Sequence, residues 1–281
     1  MSGVAGWLPR RSSVAGQASV AKVPLRWRGS APLPDAVQME KLPVLRSGAG
    51  PCLTRRISGQ AFLPRENGIM STASDARFWD RSSRRYARSA IADRDGYERT
   101  LDRTRARLRP ADDVLELGCG TGTTALRLAG GVQSYLATDI SRGMIAIAEE
   151  KLAAEPVPAL SFRTATAEEL VRDESRFDVV LGFNYLHLVR DVPGTLRGIH
   201  TLLKPAGLFI SKTPCLGDMN PLIRLLLLPA MRAVGQAPHV SSFNTSALER
   251  LINGAGFDIL ARETHASRGK DRRPYIVARR R

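Results

Sequence analysis

At 281 residues with 43% hydrophobic side chains, the chain can bury a sizeable core, which excludes general disorder. A formal charge of +15 raises nucleic acid or an anionic membrane as partners. However, 36 of the 42 basic residues are arginines, which points to GC-rich coding more than to phosphate contacts, and ten basic against three acidic residues fall within 1–69. Cys52, Cys119 and Cys215 show no C-x-x-C spacing, so neither a disulfide framework nor a metal site is indicated and a reducing, cytoplasmic setting is the plain reading.

Residues 1–69 lack sustained periodicity and are rich in Pro, Gly, Ser and Arg, as in "KVPLRWRGSAPLPDAV". That composition offsets too little chain entropy to fold, so a disordered extension is expected, with the working domain spanning 70–281. A basic, acid-poor leader also fits an organelle transit segment, and an upstream start codon before Met70 is the blander account. No apolar run approaches the ~20 residues that span a bilayer.

From Asp75 the pattern changes. "ARFWDRSSRRYARS" and "DRDGYERTLDRTRARL" predict two amphipathic helices, the second running towards Pro110. A regular alternation follows. "DVLELG", "SYLATD", "LSFRTA", "FDVVLGF" and "GLFISKT" read as short strands, with "TGTTALRLA", "SRGMIAIAEEKLAA" and "VPGTLRGIHTLL" as helices among them. Such βαβ units predict an α/β fold: a Rossmann-like, doubly wound, mostly parallel sheet of about seven strands. Towards the end, "SALERLINGAGF" reads as a helix closed by glycine. "FDILARET" and "RPYIVARR" pair as a hairpin, giving the sheet an antiparallel C-terminal strand.

The first strand–helix turn, "VLELGCGTGTTALRLA", is where such a sheet binds its ligand. A P-loop requires Lys after the last glycine, and none is present. A dinucleotide turn has its third glycine at the position held here by Thr123. Glu116, just before Gly118, would repel a phosphate and suits an ammonium group. Asp139 ends the second strand, where a carboxylate accepts hydrogen bonds from ribose hydroxyls. A ligand with a ribose, an amino-acid tail and no phosphate satisfies both, and S-adenosylmethionine is such a molecule.

"VLELGCGTGTTAL", "ATDIS" with "MIAIA", "FDVVLGFNYLHLV" and "LLKPAGLFI" follow one another in the order seen in class I S-adenosylmethionine-dependent methyltransferases, which the chain resembles from about Ala76 onwards. The resemblance looks nearest to the small-molecule branch of ubiquinone and menaquinone C-methyltransferases. It implies that Gly118, Cys119, Gly120 and Gly122 let the backbone approach the methionine part of the cofactor. It further implies that Glu116 faces the amino group, directly or through water, and that Asp139 holds the ribose. Ile140 and Met144 would pack near the adenine, Ala167 and Glu168 would contact its edge, and Phe183 would lie beside the methionine moiety. Ile140 and Met144 read equally well as core residues, and Cys119 as a small turn residue rather than a nucleophile. Two positions depart from the pattern: Thr166 stands where Asp is frequent, and Ala206 where Gly is common.

Methyl transfer from a sulfonium asks the protein mainly to position the acceptor and exclude water. His187 and Tyr185, in the segment after the fourth strand, are the candidates for base or acceptor contact, although His187 in its apolar surroundings also reads as a packed core histidine. Tyr86 could close over the cofactor from an N-terminal lid. The segment "FNYL" lacks the prolines of the N/D-P-P-Y/F sequence, which disfavours methylation of base amino groups, and no RNA-binding module is visible. The run Leu222–Leu228, interrupted by Arg224, would line a pocket for a hydrophobic acceptor or touch a membrane surface, and equally reads as a buried lid helix. The expected reaction is methyl transfer to a small organic acceptor, quinone-like or lipid-like. The alternatives are RNA or protein methylation and a non-catalytic cofactor-binding protein.

Overall fold

A computed structural model describes residues 69–218, 239–267 and 272–281. The expected extension, save Ile69, lies outside the described residues, as do Cys52 and the run Leu222–Leu228.

Two helices, α1 (Ile69–Ala87) and α2 (Arg94–Arg105), precede the alternating part. There follow β1 (Asp113–Leu117), α3 (Thr123–Leu128), β2 (Ser134–Asp139), α4 (Arg142–Ala154), β3 (Leu160–Thr164) and α5 (Ala167–Arg172). Then come β4 (Phe177–Phe183), α6 (Val192–Leu202), β5 (Leu203–Lys212), α7 (Thr245–Gly254), β6 (Phe257–Glu263) and β7 (Tyr275–Arg280). Five of the helix starts carry oxygen-bearing caps that accept a backbone N–H: Asp93, Ser141, Thr166, Asp191 and Asn244. Helix α2 stops at Arg105, short of the expected limit, and tightens into i→i+3 turns, Arg107 N–H on Thr104 O and Leu108 N–H on Arg105 O, before Arg109 N–H turns to Asp112 Oδ2 at 2.8 Å. Helix α5 was not among the expected elements. Its start is a capping box, Thr166 with Glu169, which "TAEE" spells out.

The strands form one sheet in the order β3-β2-β1-β4-β5-β7-β6. Strands β1 to β5 pair in parallel, and β7 runs antiparallel to both β5 and β6. The expected Rossmann-like sheet is therefore present, and its antiparallel C-terminal strand lies between β5 and β6. The patterning explains the order. Tyr275, Ile276, Val277 and Ala278 are all buried, as a strand covered on both faces requires, whereas β6 buries only Phe257. One face packs Leu115, Val180 and Phe209 against α6 and α7 through Leu196, Ile199, Leu248 and Ile252. The other packs Val114, Ala137, Leu181 and Val277 against α2, α3 and α4 through Leu101, Leu128 and Ile145. Strand order reverses between β1 and β4, so the crevice at their C-terminal ends is the place where this architecture takes a ligand.

Candidate functional site

The turn after β1 enters left-handed backbone three times, at Gly118, Gly120 and Gly122, with φ of +68°, +54° and +72°. A side chain there would cost about 1–2 kcal/mol per position from backbone strain. At Gly118 a Cβ would also lie 2.7 Å from Tyr185 Cδ2, and at Gly122 one would lie 2.6 Å from Phe162 Cζ. Gly120 differs: its missing Cβ would meet only Tyr86 Cε1, at 3.6 Å. Two of the glycines admit neighbouring rings, and the third leaves a gap beneath Tyr86.

The turn is held from two sides. Gly120 N donates to Asp139 Oδ2 at 3.0 Å and Ser141 N to Asp139 Oδ1 at 2.9 Å, so one carboxylate joins the turn to the end of β2. From α4, Lys151 Nζ donates to Thr121 O at 2.8 Å and to Thr121 Oγ1 and Thr123 Oγ1 at 3.0 Å each. Those three bonds engage all three ammonium protons, so this lysine clamps the turn and is not a phosphate ligand. Burial lowers its pKa.

Glu116 lies beneath the turn, buried, and accepts the Tyr135 hydroxyl at 2.7 Å. Burial pushes its carboxyl up to about 7, and the charge of Asp139 adds to the rise while the tyrosine bond opposes it. Asp139 is raised as well, chiefly by burial, against the N–H bonds from Ser141 and Gly120. Two coupled carboxylates at one turn make a field that favours a cation. The Cys119 thiol, raised well above its ordinary range by burial and those same carboxylates, is no nucleophile.

The other expected residues divide. Phe183, at the end of β4, packs into the same core cluster as Cys119. Tyr185 lays its ring over Gly118 and Gly182. Burial raises its hydroxyl pKa, and the charges of Glu168 and Asp139 contribute. Met144 is buried in the first turn of α4, its N–H on Ser141 Oγ, and Ile140 is half-buried beside that cap. Ala167 is buried in the cluster on the opposite sheet face, and Glu168 is exposed at the start of α5. Thr166 uses its hydroxyl to cap that helix. His187 bonds to Thr213 and, through its carbonyl, to Ser241 N, with no hydrogen bond to the glycine turn.

Sequence reasoning missed the residues that tie α1 down. Asp80 Oδ1 accepts Ser141 Oγ at 2.7 Å and Gly143 N at 2.9 Å, adding its charge to the N-terminus of α4. Arg190, after β4, makes two hydrogen bonds to Asp75 at 3.0 and 3.1 Å. Tyr86, at the end of the same helix, stands over Gly120 and meets Trp79 edge-on. Partners 61 and 115 positions apart leave no local signal. Tyr135 and Lys151 were missed for the same reason.

The cradle suits S-adenosylmethionine: an open gap at Gly120, a carboxylate at the end of β2 and a negative field with no free cation at the turn. The methyltransferase domain family matches residues 84–262. A demethylmenaquinone methyltransferase of Symbiobacterium thermophilum is 33% identical over 122 residues, covering 42% of this chain and 47% of that protein. The mitochondrial arginine-hydroxylase NDUFAF5 of Danio rerio is 31% identical over 204 residues, covering 68% of this chain and 62% of that protein. The chain thus spans less than two thirds of the length of either relative. Magnesium protoporphyrin IX methyltransferase of Synechocystis PCC 6803, solved with bound S-adenosylhomocysteine, shares the fold at a TM-score of 0.55 and 18% identity, over 77% of this chain and all of that one. The chain belongs to the methyltransferase domain family.

Proposed function

We propose that the protein transfers a methyl group from S-adenosylmethionine to a small, hydrophobic organic acceptor of quinone-like or lipid-like character. The observation that carries the cofactor half is the bond of Gly120 N to Asp139, which fixes turn and carboxylate together under Tyr86. The bound cofactor supplies a methyl group already activated on sulfonium. This chain's residues bind and shield: Asp139 takes the ribose hydroxyls, the backbone of Gly118 to Gly122 admits the methionine part, and Glu116 supplies negative charge behind its amino group. Ile140, Met144, Ala167 and Glu168 flank the adenine, and Phe183 lies by the methionine moiety. The likeness to a demethylmenaquinone methyltransferase supports an aromatic, lipid-soluble acceptor, as does the apolar run Leu222–Leu228 in the sequence. Contact of that run with a membrane surface belongs to the same reading.

The resemblance to relatives named arginine-hydroxylase favours a second reading, in which a protein arginine is the target. Their mitochondrial location supports a transit role for the basic residues 1–69 over a cytoplasmic one. Incubation of the purified protein with a cell extract and methyl-labelled cofactor separates the outcomes. Label partitioning into organic solvent supports the small-acceptor reading, and label in protein or RNA overturns it. An unlabelled product heavier by one oxygen atom would point to hydroxylation.

A further inference from the structure

At the C-terminal ends of β4 and β5, a threonine hydroxyl and an imidazole meet close to a buried serine of β5. Ser211 lies in β5 as the register partner of Gly182, and Thr213 follows the last residue of that strand. The absent side chain at Gly182 makes room for Tyr185, whose Cδ1 would lie 3.5 Å from a Cβ there. The Ser211 hydroxyl is fully buried and has no hydrogen-bond partner among the described residues. A buried hydroxyl without a partner is rare enough in a folded protein to mark a place where a polar group is missing.

Thr213 Oγ1 lies 3.3 Å from the backbone N of His187 and 3.2 Å from its Nδ1. The backbone N–H can only donate, so the threonine oxygen accepts there. Thr213 is itself fully buried, and the described residues offer its hydroxyl proton one side-chain acceptor, Nδ1. A proton on Nδ1 would leave that hydroxyl a buried donor facing another donor. The count places the ring proton on Nε2, which has no partner among the described residues. Burial separately disfavours the imidazolium, holding the pKa down at about 4. A neutral ring with its proton on Nε2 cannot accept a proton at that atom. At that atom it donates a hydrogen bond, which suits contact with the acceptor rather than the role of base.

The geometry points to His187, fixed by Thr213 as a neutral Nε2–H donor, holding the oxygen of an acceptor that reacts as an oxyanion, an enolate or a phenolate. This rests on the methyl-transfer reading and narrows it. Such an acceptor needs no base on the protein. Its electron pair forms the new bond to methyl, the pair of the breaking carbon–sulfur bond stays with sulfur, and the acceptor's charge is cancelled. A neutral donor aimed at the resident negative charge selects the ionised acceptor over its neutral acid without supplying a proton. His187 touches the acceptor, and Thr213 is a positioning residue.

Two measurements on the full-length protein saturated with S-adenosylhomocysteine test this. Long-range proton–nitrogen correlation NMR at pH 7, with the His187 signals assigned by His187→Gln, should show the neutral Nε2–H tautomer. In Thr213→Val that preference should fade while S-adenosylhomocysteine affinity holds. Titration with 4-nitrophenol followed by absorbance should show the phenolate bound in preference to the phenol. His187→Phe should weaken it at least tenfold, and His187→Gln, whose amide still donates, should recover most of the loss. A protonated Nδ1 in the wild-type protein, binding of the neutral phenol, or phenolate binding that ignores His187 overturns the inference, as does no binding of the probe. If instead S-adenosylhomocysteine itself fails to bind, the underlying methyl-transfer reading falls first.

Discussion

Asp139, at the end of β2, accepts the backbone N–H of Gly120 in the turn after β1 at 3.0 Å, and its other oxygen accepts Ser141 N–H at 2.9 Å. The carboxylate therefore shapes the turn, and each oxygen keeps lone pairs for further donors, such as the ribose hydroxyls of the proposed cofactor. Replacement by alanine should weaken S-adenosylhomocysteine binding by about 1–3 kcal/mol, the scale of losing hydrogen bonds to a buried polar partner. Asp139→Asn, which keeps one acceptor oxygen, should fall between. Calorimetry decides it, and unchanged affinity in Asp139→Ala would remove this residue from the site.

Glu116 gives the site a pH dependence whose sign follows from its raised carboxyl. The folded protein holds the proton up to about 7, whereas the ordinary value is 4.5, so between these limits the folded state binds more protons than the unfolded. Stability of the free protein should then fall as pH rises through that window. An ammonium-bearing ligand favours the ionised form, so binding should release protons and S-adenosylhomocysteine affinity should rise towards pH 8. Thermal melts and calorimetry between pH 5 and pH 8 check both slopes. Glu116→Gln should flatten each, and a stability that increases with pH because of this residue would contradict the assignment.

Much of this was legible because the parts are local. The glycine turn, the acidic ends of β1 and β2 and the alternation of short strands with helices are written within windows of twenty residues or so, and the sheet follows from them. Even the order of β7 and β6 is visible in the contrast between the continuous "YIVA" and the alternating "FDILARE". What could not be read is pairing over distance. Nothing in "YLATD" announces that Tyr135 will hold Glu116, and nothing in "EEKLAA" that Lys151 will reach back to Thr121. The role of His187 stayed ambiguous for the same cause: the hydroxyl that its ring meets is 26 positions away.

Helix α1 is docked by side chains that chemistry can release. Asp80 joins Ser141 in capping α4, and such caps contribute about 1 kcal/mol. Asp75 and Arg190 form a half-exposed ion pair, worth less on its own. Asp80→Ala should therefore free α1 more than Asp75→Ala does, and because Tyr86 stands over Gly120, S-adenosylhomocysteine should dissociate faster. Hydrogen exchange of residues 75–87 gives the direct reading: faster exchange in Asp80→Ala, near-parental exchange in Asp80→Asn. Equal exchange in parent and alanine variant would mean that the helix is held by its apolar face alone.

Ala206 is the residue that departs from its expected glycine, and its backbone shows the cost. Its φ is +60°, inside the irregular stretch where Leu203 pairs with Phe177 but Leu208 with Val179. Left-handed backbone costs an L-residue about 1–2 kcal/mol, while glycine loses more entropy on folding, about 0.5–1 kcal/mol relative to alanine. Ala206→Gly should thus stabilise the fold by about 0.5–1 kcal/mol, a rise in Tm of roughly 1–4 °C for a domain of this size. The neighbouring glycine behaves oppositely: a Cβ on Gly207 would lie 2.9 Å from both Asp178 O and Lys204 O, so Gly207→Ala should destabilise. The pair forms its own control in a thermal melt. A lower Tm for Ala206→Gly would show that the turn gains nothing from relief of strain, and the departure at this position would then need a different physical cause.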